Sequence, residues 1–150
     1  MDIPLQHPPL NILLADDDRD DRLFFDLALK ELKFPTNLVT IEDGEKLMDY
    51  LVKNTEKLPD VLFLDLNMHK KNGSECLSEI KSNPKLNRLP VIIYSTSVHE
   101  DVADLLYKNG AHYYLPKRDF EELIKILNLA LSLMVEKKFA RPARDGFILN

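Results

Sequence analysis

The sequence predicts an α/β fold: a doubly wound, five-stranded parallel sheet with helices on both faces. Two observations predict it. Short apolar runs without polar alternation suggest strands covered on both faces, although periodicity alone does not separate them from buried helix. Between them lie segments whose apolar residues recur every three to four positions, as in amphipathic helices. Strand–helix alternation of this kind implies parallel pairing with right-handed crossovers.

The elements follow in order. Ile12-Leu13-Leu14-Ala15 is the first strand. Asp20 to Leu32 reads as a helix, with Leu23, Phe24, Leu27 and Ala28 on its apolar face, and Pro35 ends it. Asn37 to Glu42, rich in β-branched residues and closed by Asp43-Gly44, fits the second strand. Glu45 to Val52 places Leu47, Met48, Leu51 and Val52 on one helical face. Val61-Leu62-Phe63-Leu64 is the third strand, and Ser74 to Ser82 a helix stopped by Asn83-Pro84. Val91-Ile92-Ile93-Tyr94 is the fourth strand, followed by a helix from His99 to Asn109 with Gly110 as its cap. The weaker run His112-Tyr113-Tyr114-Leu115 completes the sheet. Phe120 to Lys138 is a long amphipathic helix whose closing Lys137-Lys138 suits the negative end of its dipole. Residues 139–150 read as a tail, and a frayed end is expected there even though Phe147-Ile148-Leu149 could fold back.

Composition narrows the function. The 150 residues fit one domain, and 45% hydrophobic residues suit a soluble globular chain. Twenty Lys and Arg against 25 Asp and Glu give a net charge of −5, which disfavours a direct grip on nucleic acid. A single Cys76 excludes an intramolecular disulfide. The first residues lack the basic and apolar regions of a signal peptide. Leu123 to Val135, broken by Lys125, Asn128 and Ser132, is too short to span a bilayer. A cytoplasmic protein without membrane attachment is expected.

In open parallel sheets, ligands bind outside the carboxyl ends of the strands. There the sequence places Asp16-Asp17-Asp18, Asp65-Leu66-Asn67, Ser95-Thr96-Ser97 and Pro116-Lys117. Three carboxylates within ~5 Å repel by several kcal/mol even at an effective dielectric near 20. Such a cluster calls for a cation, and oxygen ligands select a hard ion such as Mg²⁺. Asp65 can act as a nucleophile toward a phosphoryl group. Lys117 and the Ser95 hydroxyl would then stabilise the phosphoryl oxygens. Each piece also has a plainer role: Asp18 or Asp20 capping a helix, Lys117 solvated in a loop, Ser95 bonded to local backbone. Asp65 at the end of a buried strand is harder to explain that way, because a buried carboxylate is costly unless paired. His69, His99 and His112 have no ligand-like spacing and read as structural or surface residues.

The chain resembles the response-regulator receiver domains of two-component signalling. The resemblance is carried by Ile12 to Asp17, Leu62 to Met68, Gly73, Pro90 to Ser95 and Tyr114-Leu115-Pro116-Lys117. It runs from Asn11 to about Lys138, with residues 1–10 as an extension, 11–138 as the receiver and 139–150 as a tail without an output domain. The Asp-Leu-Asn-Met signature resembles the stand-alone regulators of the phytochrome-associated type.

This resemblance implies a flavodoxin-like fold with strand order 2-1-3-4-5. It implies Asp65 as phosphoacceptor, Asp17 and Asp16 as Mg²⁺ ligands, and the Asn67 backbone carbonyl as a further one. Ser95 would be the switch hydroxyl, with Thr96 beside it and Tyr114 the aromatic that rotates inward. Lys117 would pair with Asp65 or its phosphoryl group, Gly73 would be structural, and a cis peptide would precede Pro116. Implied partners are a sensor histidine kinase or phosphotransfer protein and a downstream protein, with a homodimer possible. Ile126, Leu129 and Leu133, with Tyr107 and Tyr113, would form the dimerising patch unless the tail covers it.

Three positions depart from the family pattern. His69 replaces a usual Pro and would loosen its loop; Ser95 replaces the commoner Thr; Thr96 is bulkier than the usual small residue and would slow water access. The alternative function, a phosphohydrolase working through an aspartyl phosphate, would call for an acid where this chain has Asn67. A constitutive binding module is the third reading, and the intact acid, hydroxyl and lysine set argues against it.

Overall fold

A computed structural model describes residues 8–96 and 99–150. The chain runs β1 (Leu10–Ala15), α1 (Arg19–Lys30), β2 (Thr36–Ile41), α2 (Gly44–Lys53), β3 (Val61–Leu64) and α3 (Gly73–Ser82). It continues through β4 (Val91–Ser95), α4 (Glu100–Lys108), β5 (Tyr113–Pro116) and α5 (Phe120–Glu136) to a short 3₁₀ turn at Arg144–Gly146. All four strand pairings are parallel and the order is β2-β1-β3-β4-β5. The doubly wound reading and its strand order are thereby established.

The two-sided burial inferred from the apolar runs is visible residue by residue. Ile12, Leu14, Phe63, Ile92, Tyr94 and Leu115 face one core, closed by α1 and α5. Their alternates Leu13, Ala15, Leu62, Leu64 and Ile93 face the other, closed by α2, α3 and α4. Side chains alternate across a strand, so each apolar run serves both layers.

The helix starts have local causes. Asp18, Asp43 and Asp119 each accept a backbone N–H of the first turn of α1, α2 and α5. Asn72 and Glu75 form a reciprocal capping box at α3. Gly110 follows α4 at φ +102°, a left-handed conformation that glycine adopts without strain.

Four expectations are corrected. The buried stripe of α1 is Phe25, Ala28 and Leu29, while Leu23, Phe24 and Leu27 are exposed. The two stripes have similar spacing, and contact with Phe63 and Tyr94 selects the one carrying Phe25. The Leu115–Pro116 peptide is trans, as are all peptides among the described residues. The strand continues extended through Pro116, which pairs with Ser95, and the Lys117 amide donates to the Ser95 carbonyl at 2.8 Å.

The tail is docked rather than frayed. Ile148 bridges Tyr114, the Tyr114 amide donates to the Phe147 carbonyl, and the Leu149 amide donates back to the Tyr114 carbonyl, both at 2.9 Å. Phe147 is fully buried against Tyr107. The expected surface patch is therefore mostly interior: Ile126 and Tyr113 are buried, Leu133 packs against the core, and Leu129 stays exposed.

Candidate functional site

The carboxyl ends of β1, β3, β4 and β5 meet at one edge of the sheet. Backbone bonds set that meeting: the Asp65 amide donates to the Ala15 carbonyl at 3.0 Å, and the Asp16 amide to the Ile41 carbonyl at 3.0 Å. Register aligns Ala15 with Leu64 and Ser95 with Pro116, so the residues just beyond them converge.

Asp65 lies in the middle and is 3% exposed. Its Oδ1 accepts from Ser95 Oγ at 3.0 Å and from the Asn67 amide at 3.2 Å. Its Oδ2 stands 3.4 Å from Lys117 Nζ. Gly73 closes the back of the site, since a Cβ there would lie 2.2 Å from the Asp65 carbonyl oxygen. Only glycine fits so close an approach.

Asp16 is fully buried, and Oδ1 accepts from the Asp18 amide at 2.9 Å. Its Oδ2 takes no hydrogen bond, with the Lys117 ammonium 2.9 Å away as an ion-pair partner. Burial raises the Asp16 carboxyl to about 6, against the lowering pull of the Asp18 amide and Lys117. The same burial would depress Lys117, but the bond to Asp21 and the ion pair with Asp16 outweigh it and hold the ammonium above its ordinary range.

One oxygen each from Asp16, Asp17 and Asp65 can be chosen so that all lie within 4.8 Å of one another. A hard divalent cation suits that donor set, which is all oxygen and includes a buried Asp16 Oδ2 that has no hydrogen bond and only the Lys117 ammonium as an ion-pair partner. These residues fit such an ion.

The expected residues divide into two groups. Asp16, Asp17, Asp65, Ser95 and Lys117 come together, and Asn67 joins through its amide. Thr96 is exposed, and its carbonyl accepts from the Tyr114 hydroxyl, which also lies 3.4 Å from the Ser95 carbonyl. Tyr114 is already buried, so its ring points inward in this state. Ser97 falls outside the described residues. His69, read as structural or surface, is exposed with Nε2 3.4 Å from Asp17 Oδ2. Two further residues join the site without being singled out by the sequence. Arg22 donates to the Asp16 carbonyl at 2.7 Å, and Asp21 accepts from Lys117 Nζ at 2.7 Å. The available signal for Asp21 was Asp18 three residues before it, an N-cap aspartate that accepts the Asp21 amide and fixes it in the first turn of α1.

The profile of the response regulator receiver domain matches residues 12–128. The chain belongs to this family. Response regulator Rcp1 of Synechocystis sp. is 35% identical over 135 residues, covering 87% of this chain and 92% of Rcp1. The probable methanogenesis regulatory protein FilR2 of Methanothrix harundinacea is 33% identical, covering 77% of each chain. Among solved structures, Mn²⁺-bound Rcp1 superposes with a TM-score of 0.76 at 34% identity, covering 90% of this chain and 100% of that one. The phosphorylated cyanobacterial phytochrome response regulator RcpA gives 0.77 at 32% identity, covering 91% and 100%. The chain is thus a receiver domain of the two-component response regulators, similar to the phytochrome-associated ones.

Proposed function

We propose that this receiver is a phosphorylation switch in which Asp65 accepts a phosphoryl group from the phosphohistidine of a sensor histidine kinase or phosphotransfer protein. The observation that carries the proposal is the set of groups on one buried carboxyl: the Ser95 hydroxyl and Asn67 amide on Oδ1, and Lys117 beside Oδ2.

An Asp65 carboxylate oxygen forms the new P–O bond while the P–N bond to the donor histidine breaks, its electron pair staying on the imidazole. Mg²⁺ held by Asp16, Asp17, Asp65 and the Asn67 carbonyl would neutralise developing charge on the phosphoryl oxygens. Lys117 turns its ammonium to the same oxygens, and Ser95 exchanges its bond to Asp65 for one to the phosphoryl group. The move of Ser95 carries the β4–α4 loop, whose Thr96 carbonyl holds the Tyr114 hydroxyl. Thr96 at the mouth of the site slows water attack on the aspartyl phosphate.

In this reading residues 11–138 are the receiver, preceded by a short extension and followed by the tail. The protein works in the cytoplasm as a signalling switch, not a metabolic enzyme. Its output is contact with a downstream protein or a second copy, without direct nucleic-acid binding. Among the described residues, no helix is long and apolar enough to cross a membrane.

Incubation with acetyl phosphate and Mg²⁺ tests the proposal by intact mass. Wild type should gain one phosphoryl group and Asp65→Asn none. An unmodified wild type, or equal modification of both, would overturn it.

A further inference from the structure

Asp21 has no part in the phosphorylation chemistry just described, yet it makes the shortest contact of Lys117. Asp18 caps α1 by accepting the Asp21 amide at 3.0 Å, which fixes Asp21 in the first turn. From there its Oδ2 reaches Lys117 Nζ at 2.7 Å, against 2.9 Å for Asp16 and 3.4 Å for Asp65. The ammonium therefore leans toward α1, and Asp65 is its most distant carboxylate partner.

An ammonium has three protons to donate. Here three carboxylates surround it, with Asp65 at 3.4 Å the loosest contact, so a phosphoryl group on Asp65 that draws Lys117 closer does so at the expense of the bond to Asp21 or the ion pair with Asp16. The Asp16 carboxyl is fully buried and belongs to the cation-binding set, whereas the Asp21 side chain is 33% exposed. Water can solvate Asp21 once it is released, and it cannot do the same for Asp16. Asp21 also adds negative charge beside a group that brings more, and like charges at close range oppose each other.

We infer that Asp21 is a positioning residue that holds Lys117 against α1 in the resting state and lowers the stability of the phosphorylated state. Its carboxylate thereby sets how much of the protein stays phosphorylated under a given input. The inference rests on the Asp65 reading above.

Calorimetric titration of the full-length chain with beryllofluoride, at saturating Mg²⁺, tests it. Beryllofluoride coordinates a carboxylate oxygen and imitates the phosphoryl group without turnover. Asp21→Asn should bind it about three- to fivefold more tightly than wild type, the scale of one half-exposed ion pair. Asp21→Glu keeps the carboxylate and should stay within about twofold of wild type. Asp20→Asn removes the neighbouring charge without touching Lys117 and should leave the affinity unchanged.

An Asp21→Asn affinity equal to or weaker than wild type overturns the inference. So does an equal gain in Asp20→Asn, which would mark bulk charge as the cause, or in Asp21→Glu, which retains the carboxylate. A fall in the melting temperature of Asp21→Asn with no gain in beryllofluoride affinity would mark a merely structural role and also overturn it. If wild type fails to bind beryllofluoride, or Asp65→Asn binds it equally, the Asp65 reading falls and this inference falls with it. Tighter binding confined to Asp21→Asn supports both.

Discussion

His112 shows how much one buried side chain can couple to pH. Its Nε2 sits 3.0 Å from the Phe139 carbonyl, which fixes the proton on Nε2, while the buried Nδ1 has no hydrogen-bond partner. Burial lowers the imidazole to about 4, and the nearby cations Lys81 and Arg141 push the same way against the Phe139 carbonyl. The unfolded chain takes up this proton near pH 6.5, so the folded state is favoured above that pH. That stability is lost as pH falls from about 6.5 to about 4, after which both states are protonated. The shift corresponds to at most about 3 kcal/mol. The stability difference between wild type and His112→Gln, followed by denaturation against pH, should change across that window; parallel curves would contradict the account. At this scale, legibility depended on where a residue sits. Asp16, Asp17, Asp65, Ser95 and Lys117 were readable because strand ends announce themselves. Asp21 was not, because an acid in a first helical turn has an ordinary reason to be there. Its partner Lys117 lies 96 residues away, a proximity that only the folded sheet creates.

Among the elements, the tail departs most from expectation. Arg144 reaches Glu100 and Asp104 on α4 at 2.7 and 2.8 Å, and the Tyr107 hydroxyl donates to the Pro142 carbonyl at 2.8 Å. Exposed ion pairs contribute little, so the buried Phe147 ring should dominate the docking energy. Phe147→Ala should cost about 3–5 kcal/mol in chemical denaturation, and Arg144→Ala under about 1 kcal/mol. The reverse ranking would show that ion pairs hold the tail. Strands β1, β3 and β4 were legible because burial on both faces leaves an apolar run, whereas β2, half-buried to exposed throughout, was legible through its β-branched residues. The tail has no periodicity, and its partners Tyr107 and Tyr114 are distant in sequence, so Phe147-Ile148-Leu149 offered hydrophobicity without an address. For α1 the ambiguity was of another kind. Two apolar stripes of similar spacing competed, and only contact with β3 and β4 chose between them.

Over the whole molecule, the central sheet separates two apolar layers and brings all the chemistry to one edge. That arrangement places aromatic rings where the proposed switch moves. The chain has five tyrosines and no tryptophan, so tyrosine dominates its near-ultraviolet spectrum. Lys117 Nζ lies 5.4 Å from the centre of the Tyr94 ring, which packs edge-on against Phe25. The Tyr114 hydroxyl donates to the carbonyl of Thr96, the residue after Ser95. A shift of Lys117 changes the field across one ring, and a shift of the β4–α4 loop changes the hydrogen bond of the other. Near-ultraviolet circular dichroism should therefore change when beryllofluoride and Mg²⁺ are added. The change should shrink in Tyr94→Phe and in Tyr114→Phe; persistence at full size in both would place the signal elsewhere. With two of its own chromophores beside Lys117 and the β4–α4 loop, the protein would report the proposed switch without a dye, a label or a partner.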